Sequence, residues 1–261
     1  MEPSDWPSDW HLVRHSRREA NLDVWLMQHP RSGAMIEHTR VHGVADADPW
    51  VARLARYRDL ALRVDALAPL LAAAREDDGF SVWTPRRPDA NLRDWLAADQ
   101  ASRHQLMEVL RAVARGLDAL AEAGLAHGAL QPAWIDRAPG GPQLHGAVYA
   151  EAAATTPTAL QGAVGYLAPE VVNGKPRTAA ADQFALGIVV AESLSGRNPL
   201  LASDAWVLAG HKPVPLQNLE DPVRSVVGRA LSPAPSDRWQ SCSAFLDALD
   251  EALEASRPNP A

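Results

Sequence analysis

Two histidines lie in the middle of this chain, His127 and His145. Imidazole can bind a metal or shuttle protons near neutral pH. A lone histidine pair is nevertheless a weak site, and a packed loop histidine is the simpler reading of each. Arg17 and Arg18 form a dibasic step that could hold an anion, or could sit on a solvated hairpin. Thr155, Thr156 and Thr158 are three neighbouring hydroxyls; phosphorylation would add about two negative charges per site, against the simpler reading of an unmodified loop. The other notable feature is a gap: from Met1 to Gly174 there is no lysine, and the chain holds only Lys175 and Lys212.

Those groups need a scaffold, and 261 residues of 47% hydrophobic composition can build one large domain or two lobes around a real core. The net charge of −7, with no long basic run, argues against nucleic acid as the main partner. The single Cys242 excludes an internal disulfide and a cysteine-based zinc site and suits a reducing, cytoplasmic setting. No apolar run reaches the ~18 to 20 residues of a membrane span. Residues 1–9, acidic and Pro-rich, read as a disordered extension unlike a signal peptide, and 256–261 as a tail or linker. Arginine supplies 23 of the 25 basic residues and alanine is abundant, as expected of a GC-rich, bacterial coding sequence.

The element order is legible from periodicity. Residues 10–13, 24–27 and 34–36 read as strands, with a polar stretch between the first two and a turn at Pro30–Gly33. Residues 49–74 read as an amphipathic helix through Trp50, Leu54, Tyr57, Ala61 and Val64. A strand at Phe80–Trp83 follows, and Pro85-Arg86-Arg87-Pro88 breaks regular structure. From residue 91 the chain turns helical. Ser102 and Gln105 match a capping box ahead of an apolar face from Leu106 to Leu120. Residues 181–194 read as a buried helix and 241–255 as a last amphipathic one.

Several segments then carry a resemblance. Leu125-Ala126-His127-Gly128-Ala129-Leu130-Gln131-Pro132-Ala133-Trp134-Ile135 resembles the catalytic loop of protein kinases, H-R-D-L-x-x-x-N. Gly165-Tyr166-Leu167-Ala168-Pro169-Glu170 is similar to the segment that closes the activation loop. Ala181-Asp182-Gln183-Phe184-Ala185-Leu186-Gly187, Ser195 to Leu200 and Leu231 to Trp239 resemble the three conserved-order segments that follow in that family, most of all in bacterial serine/threonine kinases. The resemblance spans roughly residues 10 to 255 and implies an α+β, bilobal protein-kinase-like fold. A small β-rich N-lobe with one main helix would occupy 10–88, and a larger α-helical C-lobe 89–255.

The resemblance also implies where chemistry should sit. Phosphoryl transfer requires a cation on the phosphates, oxygen ligands for magnesium and a base near the acceptor. The base position falls on Ala129, the neighbouring lysine position on Gln131 and the magnesium asparagine on Trp134, which offers only an indole N–H. The metal-binding triplet aligns with Gly146-Ala147-Val148, so Gly146 replaces its carboxylate. The phosphate-covering loop aligns with Arg14–Val24 and contains no glycine, while Glu19 and Asp23 would repel phosphate. The strand lysine falls on Thr39, and no glutamate occurs between His38 and Arg75 to partner it, which leaves Asp59 as nearest substitute.

The supports are retained by type. Glu170 and Arg238 match a buried ion pair of the family, and Asp182 an aspartate that braces the catalytic loop through amides near His127 and Gly128. Trp83 and Trp134 are expected to face the former nucleotide cleft, with Trp134 filling it. These readings converge on a pseudokinase: a scaffolding or regulatory module with no cofactor or metal, no binding of magnesium–ATP and a protein partner such as a kinase, a phosphothreonine reader or an envelope or secretion component. Two alternatives stay open. One is a metal-independent nucleotide-binding switch, the other an active transferase that recruits Asp136, Asp59 and the Arg17-Arg18 pair.

Overall fold

The computed structural model describes residues 10–256 apart from 20, 88–90, 99–101, 139, 154–163, 202–206, 208 and 210. Its N-terminal part is a five-stranded antiparallel sheet built from β1 (His11–Glu19), β2 (Leu22–Gln28), β3 (Met35–His42), β4 (Ala72–Glu76) and β5 (Gly79–Pro85), in the order β1-β2-β3-β5-β4. Between β3 and β4 runs helix α1 (Asp48–Ala61). Pro49 starts it, where a missing N–H costs nothing, and Leu54 and Tyr57 bury its inner face. The Tyr57 hydroxyl donates to the Ala68 carbonyl at 2.7 Å, which pins the chain leaving the helix.

Strand alternation sorts the sheet into two faces. In register, Leu22, Val24 and Leu26 lie beside Val41, Thr39 and Glu37, which lie beside Phe80, Val82 and Thr84. This set faces the rest of the molecule. On the opposite face His15, Trp25, His38 and Trp83 stack across four strands, with ring centroids 5.4, 5.1 and 4.7 Å apart.

Three expectations are corrected here. The polar stretch after Trp10 is not a loop: β1 continues to Glu19 and pairs with β2 to the turn, accommodating its irregular pattern by two register shifts. The helix ends at Ala61 rather than 74, because the following residues form a turn and then β4. Trp83 faces away from the cleft, since its neighbours Val82 and Thr84 take the inward positions on β5.

The second lobe is helical. It comprises α2 (Leu92–Ala97), α3 (Arg103–Glu122), a hairpin of β6 (Ile135–Ala138) and β7 (Gly141–Leu144), α4 (Tyr149–Ala153), α5 (Pro169–Val172), α6 (Ala179–Ser195), α7 (Val223–Ala230) and α8 (Cys242–Ala255). Both halves of the α3 capping box are present: the Gln105 amide donates to Ser102, and the Ser102 amide to the Gln105 side chain. Thr178 and Ser241 cap α6 and α8 with the single bond alone, accepting from the Ala181 and Ala244 amides. Asp118 on α3 accepts from the Cys242 and Ser243 amides at 2.7 and 2.9 Å, so α3 satisfies free donors at the start of α8. Every residue of α6 from Ala181 to Ala191 is buried, as its all-round apolar sequence requires. No helix among the described residues is long and apolar enough to cross a membrane.

Candidate functional site

Where the inner face of the sheet meets the helical lobe there is a cavity of about 340 Å³. The expectation of a filled, dry cleft is therefore corrected: Trp134 lines one wall and leaves the space open. Thr39 lines the roof, buried between Val24 and Val82 of the adjoining strands. Gln131 lines the floor, and its side-chain oxygen accepts from Arg93 at 2.7 Å. Ala129 is buried below and borders a second, 20 Å³ gap beside Gly128, Tyr166, Arg177 and Asp182.

Trp134 ends a single 3-10 turn, Pro132–Trp134, that leads into β6. Its ring is buried, meets Tyr149 edge-on at 6.0 Å and 86°, and carries the Arg87 guanidinium 5.0 Å from its centroid. Gly146 lies against it. A Cβ at 146 would come within 2.7 Å of the indole, and the backbone there has φ +79°. The ring thus occupies the volume that any side chain at 146 would need. Val148 keeps φ +73°, a conformation costly for a β-branched residue, while wholly buried.

A second fitted pair lies on the catalytic-loop segment. Gly128 has φ +80°, and an added Cβ would meet the Glu151 side chain at 2.9 Å. Glu151, on α4, in turn accepts from Arg53 of α1 at 3.0 Å. Asn21, at the β1–β2 turn, donates to the Ala152 carbonyl at 3.1 Å. Helix α4 is therefore tied to both the sheet and α1. Asp59 does none of this. It is exposed on the last turn of α1, 3.8 Å from Arg58, so the reading of Asp59 as a substitute partner for a β3 cation is corrected: α1 reaches the second lobe through Arg53, which pairs with Glu151, and Arg56, which donates to the Ala123 carbonyl.

Below the cleft, Asp182 accepts from the His127 amide at 2.7 Å and the Gly128 amide at 2.9 Å. Burial pushes its carboxyl up to about 7, against the opposing pull of those amides and of Arg177. Arg177 also donates to the Gly128 carbonyl. Glu170 and Arg238 form a bidentate pair at 2.7 and 2.8 Å, with the Arg238 side chain 1% exposed. Arg238 further donates to the carbonyls of Ala180 and Ser232.

The histidine pair is structural. His127 donates from Nε2 to the His145 carbonyl at 2.7 Å and accepts at Nδ1 from the Ala129 amide at 3.2 Å. Both ring nitrogens are thus committed to the neutral form, and burial lowers the pKa to about 4. Burial takes His145 down to about 3, and its Nδ1 has no hydrogen-bond partner among the described residues. No group of three or more His, Cys, Asp or Glu is arranged to hold a metal among the described residues. Asp136, 1% exposed at its side chain, is held by Arg87 at 2.6 and 2.9 Å and by His145 Nε2 at 3.1 Å. Burial pushes this carboxyl up and the guanidinium pulls against it.

Asp23 also departs from expectation. It lies on the outer side of β2, where it accepts from Arg18 at 3.1 Å and bonds His15 and His42 at 2.9 Å each, so it does not face the cleft. Side chains of Arg17 and Glu19, and Thr155, Thr156 and Thr158 altogether, lie outside the described residues. The cavity instead brings together four arginines that motif reasoning passed over: Arg14 on β1, Arg86 and Arg87 just after β5, and Arg93 on α2. The Arg86-Arg87 doublet was the available signal, sitting where the chain must cross between lobes.

A twisted five-stranded sheet with one long helix, joined to a helical lobe whose loop is braced by a buried aspartate, defines the bilobal protein-kinase fold. Comparison with known proteins agrees. The chain is similar to the kinase domain of Mycobacterium tuberculosis PknI, with a TM-score of 0.72 and 23% identity over 94% of this chain and 95% of that one. It is 31% identical over 166 residues to the serine/threonine-protein kinase PknA of M. tuberculosis, covering 60% of this chain and 38% of that protein. It is 28% identical over 272 residues to Pkn1 of Myxococcus xanthus, covering 93% of this chain and again 38% of the relative. The chain therefore spans well under half the length of these relatives. No protein-family model matches it. The chain thus has the protein-kinase fold and is similar in sequence to bacterial serine/threonine-protein kinases.

Proposed function

We propose that this protein is a kinase-fold module without phosphotransfer activity, acting by binding and regulation. The observation that carries this reading is the fit of Trp134 against Gly146. If the two occupy the family's magnesium-ligand positions, neither offers an oxygen from its side chain, and magnesium demands oxygen ligands. The indole also fills the volume a carboxylate at 146 would need. Thr39 at the strand position bears no positive charge, and Ala129 at the base position cannot take a proton. The relatives named serine/threonine-protein kinases share the fold, but chemistry belongs to the site rather than to the scaffold.

The rival reading, a transferase with relocated groups, finds little support in the geometry. Asp136 is enclosed by Arg87 and His145, Asp59 is exposed away from the cleft, and Arg18 is engaged by Asp23 on the outer face. The test is incubation of the purified chain with labelled ATP, magnesium or manganese, and general acceptor proteins. No label transfer is expected, to itself or to an acceptor. Transfer that Asp136→Asn abolishes would overturn the reading. The partner class stays as proposed from the resemblance: a kinase, a phosphothreonine reader or an envelope or secretion component, met in the cytoplasm.

A further inference from the structure

The chain carries a net charge of −7, yet the wall of its 340 Å³ cavity has the opposite sign. Four arginines line it and a single carboxylate, Glu37, does so. Arg87 is matched by Asp136 behind it. Arg93 hydrogen-bonds to the neutral Gln131 amide, and Arg14 stands exposed on β1. Burial pushes the Glu37 carboxyl up, which weakens the one opposing charge. Guanidinium groups repel a divalent cation and bind phosphate or carboxylate through paired N–H donors. The rest of the wall is mixed: Leu22, Val24 and Leu26 of β2 and the Trp134 ring give it apolar faces, and Ser16, Thr39, Asn91 and Gln131 polar ones. The volume is within the ~300–1,000 Å³ usual for small-molecule sites.

We propose that this cavity binds a small organic anion, a flat apolar body bearing one phosphate or carboxylate, through its arginines and without a metal ion. The inference deepens the non-catalytic reading and rests on it. The apolar body lies against the β2 side chains and Trp134, and its anionic group takes the place of the cation–phosphate chemistry that Thr39 and Gly146 cannot supply. Arg14 belongs to the sheet and Arg93 to the helical lobe, so one anion engaged by both ties the lobes together. Occupancy of the cavity then sets the relative pose of the lobes, and with it the surface offered to a protein partner.

The experiment is isothermal calorimetry and thermal unfolding of the full chain in EDTA, with AMP, phenyl phosphate and benzoate as probes and with adenosine and phenol as neutral counterparts. At least one charged probe is expected to bind, about tenfold or more tighter than its neutral counterpart, as one charge-assisted hydrogen bond would give. A preference for AMP and phenyl phosphate identifies a phosphate ligand, and a preference for benzoate a carboxylate one. Arg93→Gln and Arg14→Gln, both at exposed side chains, should each weaken binding about tenfold while leaving the melting temperature of the free protein unchanged. Absence of binding by every charged probe, equal binding of the neutral ones, or indifference to both substitutions would overturn the inference while leaving the non-catalytic reading intact. Binding that requires magnesium, accompanied by label transfer from ATP, would remove both.

Discussion

The brace beneath the catalytic-loop segment and the wall of the cleft above it hold their residues in different ways. In the brace, each buried ionisable group has a fixed polar partner: Arg238 has the Glu170 carboxylate, and Asp182 two backbone amides. In the cleft, side chains fit glycines by shape, Trp134 into the space over Gly146 and Glu151 over Gly128. A buried charge constrains its partner strongly, because removing one side strands the other. A reagent position has no such internal creditor. On the reading proposed above catalysis is not required of it, so packing alone governs which residue sits there.

The sharpest way to break that contrast is at the brace. Arg238→Met removes the guanidinium and leaves the Glu170 carboxylate and two carbonyls without their donor. A loss of about 3–5 kcal/mol is expected, read as a drop in urea midpoint at unchanged m-value. If Arg238→Met cost less than a typical surface change, the brace would be no more constrained than the cleft.

At the cleft the contrast becomes a double-mutant cycle. Gly146→Asp forces a side chain into the indole at a backbone angle that favours glycine, and should cost about 2–4 kcal/mol from overpacking and backbone strain together. In a Trp134→Asn background the same change should cost far less, with a coupling of about 1–3 kcal/mol measured by denaturation. Additive costs would mean that the two positions changed independently. The rescued double variant also offers oxygen atoms at both positions, so its magnesium dependence of thermal stability can be compared with the parent's.

The architecture was legible because helix periodicity and capping act locally. The Ser102–Gln105 box and the apolar face of α3 needed no tertiary knowledge. The brace was legible for a related reason, since Asp182, Glu170 and Arg238 sit in segments whose spacing is held by the fold they support. What could not be read was which face of a strand points inward. Trp83 reads as a cleft residue by its place in the chain, yet one step of alternation puts it on the outer aromatic row with His38 and Trp25. Nor does sequence spacing show that Arg14, Arg86 and Arg93, from three separate elements, converge on one cavity.

That outer row supplies a pH test of what burial does away from the cleft. His38 stacks on Trp83 at 4.7 Å and 2°, bonds the Ser81 hydroxyl at 2.9 Å, and has its pKa lowered to about 4 by burial. Glu76 pulls that value upward and Arg40 downward. The unfolded imidazole takes up a proton near pH 6.5 while the folded one stays neutral until about 4. The stability from His38 is thus fully present above pH 6.5 and is lost as the pH falls through that window. Between pH 7 and 5 the parent should lose about 1–2 kcal/mol more than His38→Gln, after allowance for partial exposure. Equal pH slopes for the two proteins would show that the row is open enough to accept the charge.

The smallest effect expected is at the contact between α1 and α4. Arg53 and Glu151 are 3.0 Å apart with side chains 31% and 20% exposed, so solvent screens much of their attraction. A cycle of Arg53→Met and Glu151→Gln should return a coupling of about 1 kcal/mol or less in moderate salt, shrinking as salt rises. Glu151 also covers Gly128, which gives the position a packing role that Gln preserves and Ala does not. Glu151→Ala should therefore cost more than Glu151→Gln even where Arg53 has already been replaced. Equal costs in that background would reduce the contact to its charge, and the shape-fitting found in the cleft would then stop at Trp134.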